Sequence, residues 1–194
     1  TDPQVGNRAP LVKNLLLVDG ITRSGKFLLA NLLSGISGIE PTQYTGLLED
    51  IPFLERFGFI EKHTAQEILR CEIDFRCYEM LIGRNINLRV SDKSSIYNIP
   101  RYQQYLDRSK MPDKDIDMTL QRFHEDKRYS FFILHEILPN IQIYFDTFPQ
   151  MKVISLQRSP VDLVHSWYKR GLGKRWGRDP KLFQIPFAHP KGSI

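Results

Sequence analysis

The chain has 194 residues, 41% hydrophobic and 25% charged, a size and balance that give one globular domain whose core needs neither disulfides nor metals. Its 27 Lys and Arg against 22 Asp and Glu leave a formal charge of +5, which suits an acidic ligand without marking a nucleic-acid binder. No apolar stretch reaches the roughly 18 residues of a membrane span, no secretory segment precedes the first predicted strand, and Cys71 and Cys77 fall six apart in a predicted helix, a poor disulfide spacing. A cytoplasmic protein is the expectation, although a chain that begins at Thr1 leaves room for an upstream anchor.

Behind a polar, Pro-containing lead, residues 15–18 read as a buried parallel strand. A short turn then opens into a helix with an apolar face at Leu28, Leu29, Leu32, Leu33 and Ile36, and Gly35 and Gly38 punctuate the loop that follows. Thr64 and Glu67 read as a capping box ahead of a helical stripe of Ile68, Cys71, Phe75, Tyr78 and Ile82, closed by Gly83. Residues 86–90 alternate like a half-covered strand, and two short polar helices are predicted at about 101–109 and 115–126. Residues 130–135 and 151–156 read as two more buried strands, joined by an apolar helical segment around 141–148. Ser159 as N-cap, Pro160 at N1 and Asp162 at N3 start a last helix. Strands separated by helices predict an α/β fold, three layers (α/β/α) around a mainly parallel sheet, with ligands at the carboxyl ends of the strands. One domain is expected over residues 1–194, with a mostly helical insertion at about 40–128.

Residues 15–29 carry the most information. An apolar strand ends at Gly20, a loop carries Thr22, Arg23, Ser24, Gly25 and Lys26, and Phe27 opens an amphipathic run. The first N–H groups of such a helix point into the loop with the positive end of the helix dipole, and two cationic side chains stand beside them. That is a cradle for a phosphate or sulfate group. The junction at residues 158–166 repeats the logic. Arg158 ends a strand and Ser166 lies eight residues on, in the second turn of the next helix, so a guanidinium can fork onto a phosphate while a hydroxyl donates from the helix. Two cradles on one sheet fit a ligand phosphorylated at two separated places.

In these two segments the sequence resembles the sulfotransferases that use 3′-phosphoadenosine 5′-phosphosulfate (PAPS), with a P-loop-like architecture. In that family a (Lys/Arg)-Ser-Gly-(Thr/Ser)-(Thr/Ser) loop after the first strand holds the 5′-phosphosulfate, and Arg-x-Pro-x-Asp-x-x-x-Ser-(Tyr/Trp) holds the 3′-phosphate. Here the first is Arg23-Ser24-Gly25-Lys26-Phe27, near the Arg-Ser-Gly form of the carbohydrate sulfotransferases, and the second runs in full from Arg158 to Ser166-Trp167. Phe131-Phe132-Ile133-Leu134-His135 is similar to the strand that delivers the family's catalytic His, 23 residues before Arg158. Lys26 and Phe27 stand where hydroxyl residues are usual, Leu134 where a basic residue often precedes the His, and the family's Gly-rich C-terminal segment is not recognisable. A shortened or divergent member fits these departures.

The resemblance implies sulfuryl transfer from PAPS to a hydroxyl acceptor, with adenosine 3′,5′-bisphosphate leaving. Arg23 and Lys26 would stabilise the bridging and sulfuryl oxygens, and His135 would take the acceptor's proton. Thr22, Arg23, Ser24, Gly25, Lys26 and Phe27 would hold one end of the nucleotide, and Arg158 and Ser166 the other. Glu136 is the substitute base, though strand alternation turns it away from the face of His135. Lys169, Arg170, Lys174, Arg175 and Arg178, with Trp176 among them, read either as a platform for an acidic glycan or as a solvated basic stretch. His63, His124, His165 and His189 lack metal-ligand spacing, and no metal is expected. The main rival is a P-loop kinase or nucleotide hydrolase, because residues 20–26 satisfy Gly-x-x-x-x-Gly-Lys. Against it, Phe27 stands where a Ser or Thr would hold Mg²⁺. A nucleotide-binding module without turnover is the third reading.

Overall fold

Leu15–Gly20 forms the first strand, β1, and every residue of it is buried. A run with no solvent face belongs in a sheet covered on both sides, and the computed structural model, which describes residues 10–112 and 116–172, shows why. β1 is the middle of a three-stranded parallel sheet, flanked by β2 (Ser130–Ile133) and β3 (Lys152–Leu156) in the order β2-β1-β3. The register sets Leu16 against Phe131 on one side and Leu17 against Val153 on the other.

Strand alternation divides the core in two. Leu15, Leu17, Phe132 and Leu134 face one set of helices. These are α2 (Leu47–Arg56), α3 (Lys62–Leu81), α5 (Ile116–Glu125) and α6 (Ile141–Thr147). Leu16, Val18, Phe131 and Ile133 face Ala30, Phe27, Leu29 and Leu33 of α1 (Lys26–Ser34) on the opposite side. The protein is thus an α/β fold with helices on both faces of a parallel sheet. A smaller cluster of Ile96, Ile99 and Tyr105 gathers around α4 (Tyr102–Arg108).

The free edge of β2 is covered by residues 38–43. Tyr129 N–H donates to Gly38 C=O at 2.8 Å, Gln43 N–H to Phe131 C=O at 2.9 Å, and Ile133 N–H to Gln43 C=O at 2.9 Å. This parallel but irregular pairing satisfies an edge that would otherwise invite association. It also carries the chain along β2 to its carboxyl end, where Tyr44 and the first turn of α2 begin.

Four expectations change. The inner face of α1 is Lys26, Ala30 and Ser34, four residues apart, so Leu28, Leu32 and Ile36 point outward at 69%, 65% and 52% exposure. In α3 the buried stripe is Ala65, Leu69, Ile73, Cys77 and Leu81, whereas Phe75 is exposed and Cys71 stays on the outside. This rotation buries Asp74, whose two carboxylate oxygens accept the Leu11 and Val12 N–H groups at 2.9 Å. The same helix starts at Lys62 behind Glu61 rather than at a Thr64 cap, and Glu67 pairs with Arg70. Residues 86–90 join no strand. Asn87 Nδ2 donates to Ser94 Oγ at 2.9 Å and its Oδ1 accepts the Arg89 N–H at 3.0 Å, a local side-chain network that competes with pairing.

The chain divides into two compact units, the first running to Gln157 and the second starting at Arg158. In the second, α7 (Pro160–Arg170) begins as expected behind Ser159, with Pro160 in its first turn and Asp162 beside it, and ends at Gly171, φ 64°. The Ser159 side chain makes no capping bond, so the helix start rests on the preset φ of Pro160 and on Asp162 at the positive dipole end.

Candidate functional site

The loop after β1 is built for close approach. A Cβ on Gly20, φ 152°, would sit 2.6 Å from the Leu156 carbonyl oxygen of β3, so only glycine lets the chain turn there. Ser24 N–H closes the next turn onto Ile21 C=O at 3.0 Å. Arg23 occupies that turn with φ 77°, a left-handed backbone that costs a non-glycine residue about 1–3 kcal/mol and is tolerated mainly where function demands it. Gly25, φ 108°, is the N-cap of α1, and no side chain caps the helix. With a glycine as N-cap, no cap side chain lies over the opening N–H groups of α1, an arrangement that suits an anion. The Phe27 ring packs into the core on the α1 face, so its backbone N–H is what it offers an anion.

Lys26 points inward. It is 3% exposed, and its ammonium donates to the carbonyl of Gly20 at the end of β1 and to that of Leu134 just past β2, the latter at 2.7 Å. Burial pulls its pKa down to about 8, against the opposing attraction of Asp19, Glu49 and Glu136. Two of its three N–H donors are used by carbonyls, which leaves one for a ligand. Asp19, buried at the end of β1, holds the segment that follows β2 by accepting the Ile137 N–H at 3.1 Å.

His135 stands one residue beyond that Leu134 carbonyl. Its backbone N–H donates to Glu49 Oε1 at 2.7 Å, and its Nδ1 lies 2.8 Å from the same oxygen. Tyr44 donates its hydroxyl to Glu49 Oε2 at 3.3 Å and sets its ring edge-on to the imidazole, centroids 5.5 Å apart and planes at 90°. Partial burial and the adjacent Glu49 charge push the Tyr44 hydroxyl up to about 12, so it remains a donor. Glu49 lies in the first turn of α2 with Asp50, where the helix dipole favours a carboxylate. Burial and then the Glu49 charge raise the Asp50 carboxyl.

The structure thus brings Arg23, Ser24, Gly25, Lys26 and His135 to the carboxyl ends of β1 and β2. Glu136 lies past the end of β2 with φ 58°, so strand alternation does not govern it. Arg158 and Ser166 belong to the second unit. Arg158 does not end the strand as expected, because β3 stops at Leu156, while Ser166 occupies the second turn of α7 as expected. Lys174, Arg175, Trp176, Arg178 and His189 lie outside the described residues. Glu49, Tyr44 and Asp19 were not legible as site residues. Glu49 is 86 residues from His135, and no spacing rule joins a helix-start carboxylate to a distant strand end. Among the described residues no group of three His, Cys, Asp or Glu could hold a metal ion, and no helix is long and apolar enough to cross a membrane. No protein-family model matches this sequence, and neither does any curated protein.

Proposed function

We propose that the chain is a sulfotransferase that moves the sulfuryl group of PAPS onto a hydroxyl acceptor, a carbohydrate or small alcohol. The observation that carries this is the 2.7 Å hydrogen bond from Lys26 to the Leu134 carbonyl. It ties the anion-cradling loop to the residue immediately before a carboxylate-held imidazole. A charged group held at one strand end and a proton acceptor at the next are what in-line transfer between an anhydride and a hydroxyl needs.

In the step, the acceptor O–H bond breaks and its proton passes to His135 while the acceptor oxygen bonds to sulfur. The S–O bond to the 5′-phosphate breaks, and its electron pair leaves with adenosine 3′,5′-bisphosphate. Arg23, Lys26 and the first N–H groups of α1 neutralise the charge spread over the sulfuryl and bridging oxygens, each lost donor costing ~3–4 kcal/mol of barrier. Arg158 and Ser166 enter through the family resemblance, as the pair that grips the 3′-phosphate. The +5 charge of the chain favours acidic ligands in general.

Calorimetric titration tests the proposal. Tight binding of adenosine 3′,5′-bisphosphate in EDTA is the expected result. Binding of ATP only with Mg²⁺ would favour a P-loop kinase or hydrolase working through residues 20–26 instead. His135→Ala is expected to bind the bisphosphate like the wild type and to lose about 10²–10⁴-fold of transfer rate. Bisphosphate binding with no transfer to any hydroxyl by the wild type would make the chain a non-catalytic module.

A further inference from the structure

We propose that Glu49 is the positioning residue of His135: its Oε1 holds the imidazole with Nδ1 protonated and Nε2 bare, and Tyr44 fixes the carboxylate through Oε2. The role of the tautomer in turnover rests on the sulfuryl-transfer reading, whereas the hydrogen bonds that set it do not.

Two groups converge on one oxygen. The His135 backbone N–H and the His135 Nδ1 lie 2.7 and 2.8 Å from Glu49 Oε1. An ionised carboxylate only accepts, so Nδ1 must carry the proton, and a neutral imidazole has only one N–H to give. Nε2 is then the nitrogen with the lone pair, the form a general base requires. When Nε2 takes the acceptor's proton, the Nδ1–H stays on Glu49, so no second proton has to move and the imidazolium faces a carboxylate.

The carboxylate is itself held. Tyr44 donates to Oε2 at 3.3 Å and braces the ring edge-on. The α2 turn that carries Glu49 is pinned by the Tyr144 hydroxyl on the Leu48 carbonyl. Neither partner is open to free rotation, since the side chains of His135 and Glu49 are 24% and 17% exposed. The shared oxygen also dictates what a conservative change will do. In Glu49→Gln the amide must present its oxygen to His135, because an NH₂ there would face the backbone N–H donor to donor.

Nitrogen-15 NMR of the full chain without ligand at pH 8, with His135 assigned by its loss in His135→Gln, reads the tautomer directly. The expected result is Nδ1–H in the wild type and in Glu49→Gln, with Glu49→Ala moving toward Nε2–H. An Nε2–H signal in the wild type or in Glu49→Gln overturns the proposal, as does unchanged Nδ1–H in Glu49→Ala. Should Glu49→Ala fail to fold, the wild type and Glu49→Gln still decide it. Titration with adenosine 3′,5′-bisphosphate separates the two claims. If the wild type does not bind it, sulfuryl transfer falls and the tautomer result stands. If it binds and the tautomer ignores Glu49, the positioning role falls alone.

Discussion

Pro52 sits inside α2 and has no N–H to give the Leu48 carbonyl one turn back. The hydroxyl of Tyr144, a fully buried residue of α6, supplies the missing donor. Tyr144→Phe keeps the ring packing and leaves a buried carbonyl unpaired, at a cost of about 1–3 kcal/mol. A urea melt should show a lower midpoint with an unchanged slope. Lys26 is the second residue whose position governs behaviour. Its pKa of about 8 lies below the usual 10.5 because burial disfavours the charged form, so the free protein loses that charge as pH rises through about 8. A bound phosphate favours the charged form, and binding must then take up a proton. Affinity for adenosine 3′,5′-bisphosphate is expected to be flat from pH 7 to about 8 and to weaken above it, approaching tenfold per pH unit. In Lys26→Met that slope should vanish. Calorimetry across this range would show no such loss if Lys26 did not serve the anion.

At the scale of elements, the edge segment 38–43 depends on one buried carboxylate. Glu40, 1% exposed, pairs with Arg108 from the end of α4 at 2.7 Å and with Arg128, two residues before β2, at 2.6 Å. Burial pushes its carboxyl up, but the charges and hydrogen bonds of Arg108 and Arg128 outweigh it and hold it below the ordinary 4.5. Glu40→Gln leaves two guanidiniums together without their counter-ion, at a cost of about 3–5 kcal/mol. The sign follows from the lowered pKa. The stabilisation is complete above the ordinary carboxylate range and is lost as pH falls below about 4.5, so the gap between wild type and Glu40→Gln should narrow in acid. Denaturant melts at pH 7 and in acid check both statements. The elements themselves were legible where packing is two-sided. The unbroken apolar run of β1 could only be a covered strand, and Pro160 with Asp162 could only start a helix. Helix rotation was not legible. The inward faces of α1 and α3 carry Lys26 and Asp74, polar residues tied to Leu134 and to Leu11 and Val12 far along the chain, and a count of apolar positions treats such residues as surface.

At the scale of the molecule, the loop of residues 20–26 was legible because glycine, cation and helix start must lie within a few residues of one another. The Glu49–His135 pair was not, because the fold alone brings its halves together. The same difference separates the two cations proposed to grip the bisphosphate. Arg23 lies in a turn whose strained geometry is visible at φ 77°, whereas Arg158 enters through a motif. They make different predictions, because each is assigned to a different phosphate. A charged hydrogen-bonding partner is worth about 1.5–3 kcal/mol, which is roughly tenfold to a hundredfold in affinity. Arg158→Ala should weaken adenosine 3′,5′-bisphosphate by that factor and leave adenosine 5′-phosphate, which lacks the 3′ group, unchanged. Arg23→Ala should weaken both ligands alike. Titration of both variants with both ligands therefore yields a selectivity ratio that drops only for Arg158→Ala. Equal losses for the two ligands in Arg158→Ala would remove that residue from the 3′-phosphate and leave the loop after β1 as a general anion cradle.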